Sequence, residues 1–163
     1  MNNGVFETIM NDIVADISRI NDLPEVKFAV EYPKAPKDVP LRFNTIALGI
    51  KSIESNNIFA GNFLYRRHGE YVNSGSLKLR LSIDIYVPNK YGGKACYDIY
   101  EKILNQLIFY SGHKVDSIEC EELKYNRTTG AFVMRTTASF NILLKENEPM
   151  QAYAVEKGES NAD

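Results

Sequence analysis

The sequence predicts an α+β fold: a mixed or antiparallel sheet with two main helices packed on one face, in the order α-β-β-(β)-β-α-β-β. Three observations carry this prediction. Apolar residues recur at three- and four-residue steps between Phe6 and Ile20, and again between Cys96 and Ile108. They alternate strictly in steps of two from Leu77 to Val87. Clusters of Pro, Gly, Asn and Ser separate these stretches and mark the turns.

The elements follow in chain order. Phe6, Ile9, Met10, Ile13, Val14, Ile17 and Ile20 form one helical stripe, with Asp12, Asp16 and Arg19 off it. Asn21, Asp22 and Pro24 stop that helix, because proline cannot continue the hydrogen-bond ladder. Residues 26–32 alternate as a strand with its even positions apolar. Pro33, Pro36 and Pro40 make the next segment an extended loop.

From Phe43 to Ile53 a second strand places Ile46, Leu48 and Ile50 on one face. Gly49 marks a bulge or a close backbone approach in it. Ser55, Asn56 and Asn57 signal a turn, and 58–65 is a further short strand weakened by Gly61 and Asn62. The polar stretch Arg66–Gly75 is expected to be an exposed loop joining two strands, too long for an ordinary hairpin turn of about 2–5 residues.

The strongest strand carries Leu77, Leu79, Leu81, Ile83, Ile85 and Val87 inward and Lys78, Arg80, Ser82, Asp84 and Tyr86 outward. Pro88 ends it, and Tyr91-Gly92-Gly93 turns into a helix running from Ala95 to Phe109. Ser111-Gly112 is expected to close this helix as a glycine-containing cap. Two strands follow, 115–125 and 131–144, joined by the hairpin-like Asn126–Gly130. Beyond Lys145 the pattern stops and acidic residues outnumber basic ones. The expected organisation is therefore one domain, 1–144, and a mobile acidic tail, 145–163. No internal repeat is visible.

Composition narrows the function class. The chain has 163 residues, 19 basic and 21 acidic side chains, and a net charge of −2. A broad nucleic-acid footprint normally needs a basic excess. No stretch approaches the ~20 apolar residues of a membrane helix, and residues 1–7 have no basic start or apolar run like a secretory signal. Cys96 and Cys120 without such a signal point to a reducing compartment.

No constellation of residues carries chemistry clearly. His68 and His113 have no metal-ligand spacing to partners, and the two cysteines form no CxxC. Cys96, near a helix start, could be an activated thiol. It also shares the apolar stripe of Ile99 and Ile103, which makes it a small core side chain, and Cys120 shares the alternation of Ile118. Tyr91-Gly92-Gly93-Lys94 resembles an anion-binding turn only loosely, and a tight turn that needs glycine explains it as well. Glu119, Glu121 and Glu122 read as an outward face rather than an acid–base pair. Arg66, Arg67 and His68 form a short basic cluster near Tyr65 and Tyr71 that could touch phosphate.

The run Ile83-Asp84-Ile85-Tyr86-Val87-Pro88, then Gly92-Gly93, Cys96 in a helix ending near Phe109, Ile118-Glu119-Cys120, Tyr125 and Thr129-Gly130-Ala131-Phe132 resembles tail terminator proteins of tailed bacteriophages and phage-derived tail particles. The resemblance lies in layout and covers about two-fifths of the chain. It implies a structural, non-enzymatic protein with no active site, cofactor or metal. Its implied work is to form a ring, a hexamer, on the head-proximal end of the tail tube. That ring would stop tube polymerisation and present a surface for head or neck attachment. The implied partners are copies of itself, the tube protein, a neck or head-completion protein, and a sheath protein where the tail contracts. Nucleic acid would only pass through the lumen, and no membrane partner is implied. The implied location is the neck region of a virion tail assembled in the bacterial host cytoplasm. The expected interface residues are Arg66, Arg67, His68, Lys78, Arg80, Asp84, Glu119 and Glu121. The alternatives are a neck or head–tail joining protein of the same particle and a small cysteine-dependent enzyme.

Overall fold

The computed structural model describes residues 4–30, 41–55, 63–67 and 70–145. Among them are two helices, α1 (Val5–Ser18) and α2 (Lys94–Phe109), with a short 3-10 turn at Asn89–Tyr91 before α2. Eight strands complete the fold: β1 (Val26–Val30), β2 (Asn44–Ser55), β3 (Phe63–Arg67), β4 (Glu70–Pro88), β5 (Val115–Cys120), β6 (Lys124–Asn126), β7 (Ala131–Met134) and β8 (Thr136–Lys145). All eight belong to one mixed sheet, in which only β1–β2 is parallel. This is the α+β architecture the two periodicities predict.

Strand β4 is the spine. One of its edges holds β2 and then β3; the other holds β8 and then β7. β1 lies beyond β2, β5 beyond β8, and β6 beyond β7. Cross-strand partners share a face, so register decides what is covered. Ile85 pairs with Ile46 and Met134, Leu81 with Ile50 and Ala138, and Leu79 with Phe140. These residues form one apolar face with Leu48, Ile83, Val87 and Ile142. α1 covers it with Val5, Ile9, Met10, Ile13 and Ile17; α2 covers it with Cys96, Ile99, Ile103 and Leu107. Each such Leu or Ile contributes roughly 1.5–3 kcal/mol when fully buried.

Several local expectations are corrected. The stretch 66–75 is not a loop. Arg66 and Arg67 end β3 and pair with Tyr71 and Glu70 of β4, so the strand read as starting at Leu77 begins at Glu70. No apolar alternation marks residues 66–75, so local pattern does not reveal this hairpin. His68 lies outside the described residues, as do the proline-rich 33–40, most of 58–65, and the tail beyond Lys145.

In β2 the bulge falls at Lys51, two residues after Gly49: Ile50 pairs with Leu81 and Ser52 with Arg80. The segment 115–125 divides into β5 and β6, which pair with different strands. The single strand 131–144 is interrupted at Arg135. Its two halves keep one register on β4, since Ile85 faces Met134 and Ser82 faces Thr137.

The α2 boundaries have physical causes. Gly92 has φ +76, a left-handed conformation that favours glycine. A Cβ on Gly93 would lie 2.8 Å from Leu123 Cδ2. Conformation and packing therefore account for both glycines of the Tyr91–Lys94 turn. At the other end Gly112 has no positive φ, so the expected glycine cap is absent. Ser111 Oγ instead donates to Asp16 Oδ2 at 2.8 Å, and the Gly112 N–H reaches the same oxygen at 3.4 Å. This ties the α2–β5 corner to α1. His113 Nε2 adds a 2.8 Å contact to Asp12 Oδ2.

Candidate functional site: the helix-free face and the sheet edges

Among the described residues the opposite face of the sheet carries no helix. Along β4 it displays Lys78, Arg80, Ser82, Asp84 and Tyr86, as the alternation requires. The neighbours add Glu54, Gly49 and Thr45 from β2, and Asn141, Ser139 and Thr137 from β8. β5 extends the face with Glu119, opposite Thr137.

Opposite charges are spread across it. Lys78 Nζ lies 3.6 Å from Asp116 Oδ2 of β5. The bulged Lys51 reaches across β4, and its Nζ donates to Thr137 Oγ1 at 2.9 Å. A bulge puts an extra residue on one strand, and here that residue is a lysine delivered to the polar face. Arg80 is half-buried, and its Nε is buried with no partner among the described residues.

Asp84 lies at the interruption of the neighbouring strand. Burial raises its carboxyl above the ordinary 3.8, opposed first by the Arg135 guanidinium and then by the Thr136 backbone N–H, while Glu121 pushes it further up and Lys51 down. The constant register sets Asp84 opposite Arg135. The Thr136 N–H that lowers the Asp84 carboxyl belongs to the first residue of β8, one position past the break at Arg135. The Glu121 N–H closes the other side of the gap on Arg135 O at 2.8 Å.

Beside this column a cleft of about 330 Å³ opens between Tyr86, Val133 and Arg135 and the polar rim Glu121, Glu122, Lys124 and Arg127. Of the expected interface residues, the fold brings Lys78, Arg80 and Asp84 onto one column, with Glu119 and Glu121 beside it. Arg66 and Arg67 stand elsewhere, on the outlying β3–β4 hairpin. Sequence reasoning missed Lys51, Asp116 and Arg135 as partners. The charged positions in the mixed faces of their strands were the available signal.

The thiols are not alike. Cys96 is fully buried, and burial pushes it up to about 11, so it stays protonated at neutral pH. A nucleophile at a helix start needs the opposite shift. Cys120 keeps the alternation of Ile118, facing Thr136 as Ile118 faces Ala138, but it is exposed because it ends β5 at the margin of the core. Among the described residues no group of three or more His, Cys, Asp or Glu is arranged to hold a metal, and no helix is long and apolar enough to cross a membrane.

Apolar exposure concentrates at the end of α2, where Ile108, Phe109 and Tyr110 are each more than half exposed. Among the described residues four strands pair along one edge only: β1, β3, β5 and β6. Among the described residues the backbone of β1 bonds only to β2, and that of β5 only to β8.

No protein-family model matches the sequence, and no curated protein matches it. Among solved structures the fold is similar to the sheath/tube terminator of an extracellular contractile injection system, PVC, in its extended state. The superposition has a TM-score of 0.51 at 9% identity; it covers 100% of this chain and 64% of that chain. The likeness establishes a shared fold, in a chain that spans less than two thirds of its neighbour's length.

Proposed function

We propose that this protein is a structural terminator of a tail-like particle rather than an enzyme. It forms a ring on the end of the tail tube, stops the tube from polymerising, and offers its free surface to the next component: a neck or head-completion protein, or a sheath protein in a contractile particle. The observation that carries this reading is the likeness of the whole chain to a sheath/tube terminator. The polar face supports it, because mixed opposite charges fix register and orientation between protein surfaces. Ring formation needs two different patches on one chain, and the two margins of the sheet supply them.

The test is polymerisation of the cognate tube protein with and without the purified chain, read by electron microscopy. The expected result is overlong tubes in its absence and a ring at one end of shortened tubes in its presence. In whole particles, normal-length tubes that lack a head or sheath cap on removal of the protein would overturn termination and favour a joining role.

A further inference from the structure

Edge pairing between copies follows from the topology. β1 runs parallel to β2, while β2–β4, β4–β8 and β8–β5 are each antiparallel. The two marginal strands β1 and β5 therefore point in opposite directions. A second copy produced by rotation about an axis along the strands brings its β1 antiparallel to β5 of the first. That rotation also keeps every helix-bearing face on the same side. An unpaired edge invites such addition unless the protein blunts it.

The two edges differ in charge in the sense required. β1 presents exposed Lys27, with exposed Arg42 near the start of β2. β5 presents exposed Asp116 and Glu119, followed by exposed Glu121 and Glu122. Their core-side residues are only half covered: Val26 and Phe28 on β1, Val115 and Ile118 on β5. Antiparallel pairing with Lys27 opposite Glu119 sets Phe28 against Ile118 and Val26 against Cys120. Phe28 then meets Ile118 on the helix side and Lys27 meets Glu119 on the polar side; the pairing ends where Glu25 would face Glu121 and Val30 the bulged Asp116.

We infer that copies of this chain join by antiparallel addition of β1 to β5, making one continuous sheet around the ring with Lys27 facing the neighbour's Glu119. This rests on the ring of the preceding proposal and names the surfaces that close it. The native Cys120 makes it testable. In the full chain, Val26→Cys should form an intermolecular disulfide with Cys120 on mild oxidation, giving covalent oligomers in non-reducing gels that vanish with Cys120→Ser. Lys27→Cys with Glu119→Cys, in a Cys120→Ser background, repeats the test away from the apolar side should Val26→Cys not fold.

Lys27→Glu should weaken self-association about tenfold, the scale of a close charge pair at an interface, and Glu119→Lys added to it should restore assembly. Rings that form without either cross-link and are unmoved by Lys27→Glu overturn the edge pairing while leaving termination standing. Cross-linked rings that fail to cap tubes uphold the pairing and overturn termination. A chain that is monomeric both alone and on tube ends overturns both.

Discussion

The two faces of one sheet differ sharply although β2, β4, β5 and β8 each contribute to both. The helix-covered face is built from close-packed Leu, Ile, Val and Phe and sets stability. The bare face, sharing the same backbone, holds Lys51 against Thr137, Lys78 near Asp116 and Asp84 opposite Arg135, and contributes little to stability. Side-chain alternation alone separates the roles, so substitutions one residue apart should have effects of different kind and size.

The largest effect should come from the covered face. Phe140 of β8, among the largest fully buried side chains, lies between Leu79 of β4 and Val115 of β5 on the covered face. Phe140→Ala removes its transfer energy and leaves a cavity, and should cost about 3–5 kcal/mol. Urea unfolding should show a lower midpoint with an unchanged slope.

Next comes the tie holding α1 to the α2–β5 corner. Asp16 is buried and accepts from Ser111 Oγ, the Gly112 N–H and Arg19 Nη1. Asp16→Ala leaves those donors without their acceptor and should cost about 2 kcal/mol. Hydrogen exchange should speed up at residues 110–113 before the sheet amides respond.

On the bare face the ranking changes. Lys78→Ala breaks an ion pair whose members keep solvent contact, and should change stability by less than about 0.5 kcal/mol. Arg80→Glu should leave a folded chain that still forms rings and yet caps tubes less well, seen as longer tubes in electron microscopy. Normal capping by an Arg80→Glu protein would remove this face from the interface and sharpen the case for the edges.

What could be read from the sequence follows the same division. α1, α2 and the β4 segment 77–87 were legible because burial imposes a period on apolar residues, and the Lys78–Arg80–Asp84 column followed as its complement. The β3–β4 hairpin was hidden because Arg66, Arg67, Glu70 and Asn73 give no apolar alternation. The Asp84–Arg135 apposition was hidden for another reason. It depends on register between strands about fifty residues apart, and local pattern does not specify register. The exposed positions of Glu119 and Glu121 follow from the local pattern, but the Lys78–Asp116 and Glu121–Arg135 contacts depend on that same unseen pairing. Lys51 reached the polar face only through a bulge, which shifts side-chain parity locally.

The smallest effect is also the most specific to the bare face. Burial raises the Asp84 carboxyl in the folded chain above its ordinary 3.8, with Arg135, the Thr136 N–H and Lys51 only partly opposing it. The folded state therefore holds this proton more tightly than the unfolded state. Its contribution to stability is fully present below pH 3.8 and is lost as pH rises through the raised folded value, so ionised Asp84 is a liability at neutral pH. Asp84→Asn keeps a carbonyl acceptor for the Thr136 N–H and removes the charge. It should raise the melting temperature at pH 7, by the equivalent of about 0.3 kcal/mol, and leave it unchanged at pH 3. A loss of stability at pH 7 would mean that the Arg135 partnership outweighs burial, making Asp84 and Arg135 a structural pair rather than a half-buried charge held for a partner surface.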